Sequence, residues 1–147
     1  MKVYFACSMR GGYQNTGIDS LRNLTDILQE AGFDVLTTHT TEDGSIEKEK
    51  SLDTTHIYER DYRWIKECDF MVAEISNPSL GVGSEISDAI TLKKPVITMF
   101  SIDELKVSAY ILGKLKKTEN CRYSKYDNEN DFIEIVKEFS KTVSLKE

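Results

Sequence analysis

Cysteine, histidine and basic charge are all scarce in this chain, and each scarcity argues against a class of function. There are only three cysteines, Cys7, Cys68 and Cys121, odd in number, far apart and never spaced as C-x-x-C. That pattern argues against a disulfide framework and a zinc knuckle, and it leaves structural thiols. The two histidines, His39 and His56, are too few and too scattered for a metal cluster, so no metal is expected. Lysine and arginine total 19 against 25 acidic residues, and the net charge of −6 disfavours a nucleic acid polymer, whose phosphates need clustered basic residues. A small anionic ligand stays compatible, because a local pocket can oppose the global charge. Long hydrophobic runs are also missing: none approaches the roughly 18 residues of a membrane span. The apolar start "VYFAC" is stopped by Ser8 and Arg10 before a signal-peptide core develops. A cytoplasmic protein with no membrane partner is therefore expected. What the chain does have is 147 residues, 39% of them hydrophobic, enough for one domain over residues 1–147 with a sizeable core.

Apolar runs alternate with helical patterns along the chain. Strand-like "KVYFAC" leads through the glycine-containing loop "SMRGGYQNT" to a helix with Thr16 as its cap, Leu21, Leu24, Ile27 and Leu28 on one face and Gly32 as its stop. "FDVLTT" reads as the second strand. "HTTEDGSIEKEKSLD" is charged and aperiodic, a solvated loop that is long enough to suggest an active-site rim or, more plainly, ordinary surface. Asp53 caps a helix whose inward stripe runs through Ile57, Asp61, Trp64, Ile65 and Cys68. A carboxylate on that stripe must be paired or hydrogen-bonded, for a structural or a chemical reason. "FMVAEI" is strand three, "SEISDAITLK" a helix, and "PVITMF" strand four. Ser101 and Glu104 form a capping box for "DELKVSAYILGKLKK". "RYSKY" precedes a last helix carrying Phe132, Ile135, Val136 and Phe139 on one side. Five strands alternating with five helices predict an α/β fold, a doubly wound parallel sheet with helices on both faces. Such sheets bind ligands beyond the carboxyl ends of their strands.

"NPSLGVGSE" falls at such an end. Gly81 and Gly83 permit positive φ and close backbone approach, Ser79 adds a hydroxyl, and the helix that follows offers N–H groups to an anion. The segment lacks the Gly-Lys-Ser/Thr of a phosphate-binding P-loop, and Ile86 stands where a dinucleotide fingerprint needs its third glycine. Taken alone it reads as readily as a plain strand-to-helix turn. Glu85, expected in the first turn of that helix, brings an acid to the same pocket.

The stretches "VYFACSMRGG", "ERDYRWIKECDFMVAEISNPSLGVGSEISDAI" and "VSAYILG" together resemble the 2'-deoxynucleoside 5'-phosphate N-hydrolase family, relatives of the nucleoside 2-deoxyribosyltransferases. The resemblance covers most of the chain in order. It implies a small-molecule nucleotide substrate, cleavage of the bond joining base to deoxyribose, no cofactor and a homodimer. It also implies roles: Glu85 as nucleophile, Asp61 as partner acid, Tyr4 as the hydroxyl near the sugar, and Ser79, Gly81, Val82 and Gly83 as the phosphate cradle. Ser8, Met9, Arg10, Gly11 and Gly12 of the first loop, together with His39, would complete the substrate pocket. Ser108 would reach the phosphate of the neighbouring subunit. Without the resemblance, Tyr4 would read as a core aromatic and Ser108 as a surface hydroxyl. Cys7, where the family often has glycine, and Ser84, where an aromatic can occur, imply a differently shaped pocket. Cys7 itself lacks an adjacent histidine base and reads as a packed thiol. A transferase or a ribonucleotide hydrolase on the same scaffold, or a nucleotide sensor without turnover, remain as alternatives.

Overall fold

The computed structural model of the protein describes residues 1–10, 12–40 and 43–145. Five parallel strands lie in the order β2-β1-β3-β4-β5: β1 Lys2–Ala6, β2 Asp34–Val35, β3 Phe70–Glu74, β4 Val96–Phe100 and β5 Cys121–Lys125. Among the described residues six α-helices accompany them: α1 Ile18–Glu30, α2 Ser45–Lys50, α3 Thr54–Glu67, α4 Leu80–Thr91, α5 Ala109–Lys117 and α6 Glu129–Ser144. The expected doubly wound α/β architecture is what forms, with β1 and β3 flanking the point where the strand order reverses. Among the described residues no helix is long and apolar enough to cross a membrane.

Successive residues of a strand point to opposite faces, and this alternation sorts the core. Val3, Phe5, Phe70 and Val72 pack with Leu21, Leu24 and Leu28 of α1 and Phe132, Val136 and Phe139 of α6. Tyr4, Ala6, Met71 and Ala73 face the other way, toward Ile65 of α3, Val82, Ile86 and Ala89 of α4 and Leu115 of α5. Burying one such Leu or Phe side chain fully stabilises the fold by about 1.5–3 kcal/mol, so both faces are strongly specified. The even-numbered face of β1 presents Tyr4 to α3 and α4.

Several local expectations are corrected. Thr16 does not cap α1: Gly17 occupies the N-cap without a side-chain bond, while the Thr16 backbone is held by Asn77. The stop is as read, with Gly32 at φ +88° and the Phe33 N–H donating to the Leu28 carbonyl at 3.1 Å. Strand β2 is only two residues long. Beyond it the Thr37 hydroxyl takes over the ladder, accepting from the Phe5 N–H (3.1 Å) and donating to the Phe5 carbonyl (2.7 Å). The segment read as an aperiodic loop contains α2, whose inward positions are the polar Ser45 and Glu49, so hydrophobic periodicity could not reveal it. Ser101 and Glu104 form no capping box. Asp103 caps a short 3-10 turn, Glu104–Lys106, and Ser108 caps α5, its Oγ accepting from the Ile111 N–H at 3.4 Å. The Ser101 N–H instead donates to the Ser76 hydroxyl.

Candidate active site

A helix that feeds a parallel strand runs antiparallel to it, so the first turns of α3 and of α4 both lie at the carboxyl edge of the sheet. Asp53 starts α3 as expected, accepting from the N–H groups of Thr55 (3.0 Å) and His56 (3.3 Å). The inward stripe then divides. Ile65 and Cys68 are buried in the core, whereas Ile57, Asp61 and Trp64 are only half-buried, and Ile57 and Asp61 line a cleft of about 460 Å³.

Helix α4 begins earlier than its sequence suggested. Ser79 is the N-cap, accepting from the Val82 N–H at 3.3 Å, so Gly81 and Gly83 lie within the helix rather than in a loop. Neither has positive φ. Gly81 leaves the cleft floor open, since the nearest atom to a Cβ there would be Ser79 Oγ at 3.8 Å. Gly83 faces α5, where a Cβ would lie 4.0 Å from Ile111. Glu85 consequently sits in the second turn, one turn beyond Val82, pointing into the cleft beside Tyr4.

The first loop is tied to the segment between β3 and α4 by Asn77. Its Oδ1 accepts from the N–H groups of Asn15 (2.9 Å) and Thr16 (3.1 Å), and its Nδ2 donates to the Thr16 carbonyl (2.8 Å). The first loop is further shaped by Ser8, which donates to the Gly12 carbonyl at 3.1 Å, and by Tyr13, which donates to the Met9 carbonyl at 2.9 Å. Gly12 has φ +99°, a backbone conformation that side chains with a Cβ rarely adopt, so this turn favours glycine.

Electrostatics single out Glu85. Burial and then the nearby Asp61 carboxylate push its pKa up to about 7, while the hydrogen bond from Tyr4 and the Arg60 charge oppose the rise. The carboxyl is enclosed on most sides yet keeps partial exposure to the cleft. Burial, reinforced by Glu85 and Asp61, holds the Tyr4 hydroxyl protonated well above its ordinary range, which keeps it a donor to Glu85. Asp61 is paired, as a carboxylate on that stripe must be: Arg60 Nε donates to its Oδ1 at 2.9 Å.

The cleft brings together Tyr4, Met9, Arg10, Asp61, Ser79, Gly81, Val82 and Glu85 from the expected set. Ser8 and Gly12 act on loop shape behind it. His39 stands back from it, its ring tilted 50° against Trp64 with centroids 5.1 Å apart and with Nε2 3.4 Å from Glu49. Gly83 and Ser108 line a separate cavity of about 270 Å³ on the other side of the α4 amino terminus. Gly11 lies outside the described residues. Cys7 is buried at the end of β1 and contributes to the cleft wall. Among the described residues, no group of three or more His, Cys, Asp or Glu side chains is placed to hold a metal ion. Sequence reasoning missed Glu49, Arg60 and Asn77; of these only Arg60 carried a signal, by directly preceding an acid on an inward stripe.

Residues 3–129 match the family described as nucleoside 2-deoxyribosyltransferase. The chain belongs to this family. A Thermofilum pendens member, provisionally named 2'-deoxynucleoside 5'-phosphate N-hydrolase 1, is 39% identical over 135 residues, which is 91% of each chain. The 5-hydroxymethyl-dUMP N-hydrolase of Danio rerio is 34% identical over 147 residues, covering 98% of this chain and 99% of its own. Among solved structures, the CMP N-glycosidase of Clostridium botulinum superposes with a TM-score of 0.66 over 95% of this chain and 99% of that one. Its identity is 22%, so this likeness bears on the fold. The doubly wound fold expected from the sequence is the one shared with that solved structure.

Proposed function

We propose that the chain hydrolyses the N-glycosidic bond of 2'-deoxynucleoside 5'-monophosphates, releasing the free base and deoxyribose 5-phosphate. The observation that carries this reading is the Tyr4–Glu85–Asp61 constellation, which faces a nucleotide-sized cleft beside the amino terminus of α4. The family relatives named as N-hydrolases support the same chemistry.

In the proposed mechanism the Glu85 carboxylate attacks the anomeric carbon as the bond to the base breaks through an oxocarbenium-like transition state. The electron pair of that bond leaves with the base, and a glycosyl ester forms on Glu85. Water then attacks the anomeric carbon and gives its proton to Asp61, while the ester bond from that carbon to Glu85 breaks and frees the carboxylate. Tyr4 orients the carboxylate by its hydrogen bond. Asp61 supplies acid-base assistance to the leaving base and to water. Ser79, whose oxygen already accepts from Val82, keeps its O–H to donate to the 5'-phosphate. The first N–H groups of α4 and the Arg10 guanidinium add to that anion site. Phosphate binding then aligns the reacting carbon.

Chromatography of free base released from a panel of ribo- and deoxynucleoside monophosphates, with and without an added second base, tests this reading. Deoxynucleoside monophosphates should be cleaved, and the same deoxynucleosides without phosphate should lose at least about 100-fold in kcat/KM, since several charge-assisted hydrogen bonds disappear. Equal kcat/KM with and without phosphate, or sugar transfer to the added base outpacing hydrolysis, would favour a transferase. Preference for the 2'-hydroxyl would favour a ribonucleotide hydrolase.

The active unit in this reading is a homodimer. Val107 and Leu112 are buried beside Phe100. The apolar surface left open belongs instead to Leu80 (97% exposed), Leu105 (93%) and Tyr110 (79%), which flank the exposed Ser108. Covering that surface with a second copy would let Ser108 reach the partner's phosphate site. A mixture of Ser108→Ala and Glu85→Gln subunits should then recover activity, because each heterodimer keeps one site with neither defect. No recovery after verified subunit exchange would rule out a shared site.

A further inference from the structure

Adjacent residues on a helix do not face one another, so the contact between Arg60 and Asp61 needs something to hold the arginine back against its neighbour. Glu49 of α2 does so. Its carboxylate takes a two-point contact from the guanidinium, Nη1 to Oε1 at 2.7 Å and Nη2 to Oε2 at 3.2 Å. The remaining side of the fork meets Asp61 Oδ1, with Nε at 2.9 Å and Nη2 at 2.8 Å. The guanidinium carbon lies 5.0 Å from the centre of the Trp64 ring, a cation–π contact that further holds the arginine in place. The side chains of Glu49, Arg60 and Asp61 are only 8%, 12% and 19% exposed, so solvent screening of this triad is weak.

We propose that Arg60 is a positioning residue of the hydrolase site: anchored by Glu49, it fixes the Asp61 carboxylate and offsets the negative charge that Glu85 faces. The proposal rests on the hydrolytic reading above. The charged and titratable groups around Glu85 are Tyr4 from β1, Asp61 and Arg60 from α3 and Asp88 from α4. Cys7, Arg10 and Glu49 line the same cleft. Asp61 and Asp88 favour the protonated form of Glu85, and Arg60 favours the carboxylate that attack on the sugar requires. Helix α2 therefore reaches the reacting centre through one guanidinium, although its own side chains approach the sugar only at the cleft wall. A buried ion pair is weak evidence for stability by itself, so a purely structural clamp between α2 and α3 makes different predictions.

The pH dependence of kcat/KM separates the two. Arg60→Gln removes the cation and leaves Asp61 and Glu49 unopposed, so the acid limb should move up by about half a pH unit or more, with kcat falling. Glu49→Gln removes an anion and leaves Arg60 to Asp61, so its acid limb should move down. Arg60→Lys keeps the charge but loses the fork; its limb should stay near wild type while kcat drops about tenfold. Limbs that move together, or that do not move while Tm falls, would overturn the proposal in favour of a structural clamp. Should Arg60→Gln fail to fold, an unmoved or upward-shifted limb in Glu49→Gln is enough to reject it. If the wild-type protein releases no base from any monophosphate, the hydrolytic reading fails. The clamp is then judged by carbon-13 NMR titration of the Glu85 carboxyl, where the same opposite shifts are expected and their absence rejects it.

Discussion

Replacing Glu85 by glutamine should reduce base release by about 1,000-fold or more while the protein stays folded and binds nucleotide, because an amide fills the same space but cannot form the sugar ester. Free-base chromatography on purified variant, with circular dichroism as a check on folding, measures both. Near-wild-type turnover would remove Glu85 from the covalent role. Stability should respond in the opposite sense. The Glu85 pKa is about 7 in the folded chain against 4.5 for the ordinary group, so between those values the folded state keeps a proton that the unfolded state has released. Stability from this group is then fully present below about pH 4.5 and is lost as the pH rises through 7. Glutamine is neutral throughout. The variant's Tm should therefore match wild type near pH 4 and exceed it by a few degrees at pH 8. A lower Tm at pH 8 would mean that the surroundings stabilise the carboxylate after all.

Asp61→Asn should lose roughly 100- to 10,000-fold in kcat, the usual range for one acid-base group. The change is conservative in shape, since the asparagine Oδ1 can still accept from Arg60 Nε. It also removes a negative charge from beside Glu85, so the acid limb of kcat/KM should shift to lower pH. A full pH profile separates the two effects. A lowered plateau with a downshifted limb fits both roles of Asp61, and a profile identical to wild type would take it out of proton transfer.

The site was partly legible because its chemistry-bearing residues sit at positions with strong local signals. Glu85 follows a glycine-rich junction, Asp61 interrupts an inward stripe, and Tyr4 belongs to an apolar strand. The Glu49–Arg60 contact carries no such signal. It joins residues eleven apart on two helices, one of which buries Ser45 and Glu49 rather than apolar side chains, and periodicity measures only apolar burial. Cap assignments near β4 failed for a related reason. Ser101, Asp103 and Ser108 can all cap a helix, and the choice among them was settled by Ser76, which takes the Ser101 N–H from outside the segment.

The sequence by itself determined the order and type of the main elements. Continuous apolar runs such as "FMVAE" must be covered on both faces, and the 3.6-residue stripes of α1 and α6 can bury themselves only against such a sheet. Asp53 and Gly32 set their helix ends through backbone bonds made within a few residues. Tertiary structure decided whatever depends on two distant segments sharing one environment. It started α4 at Leu80, drew Asn77 across to the first loop, and turned Arg60 back onto Asp61 through Glu49. It also raised the Glu85 pKa to about 7, because burial and neighbouring charge belong to the assembled cleft and to no single stretch of chain.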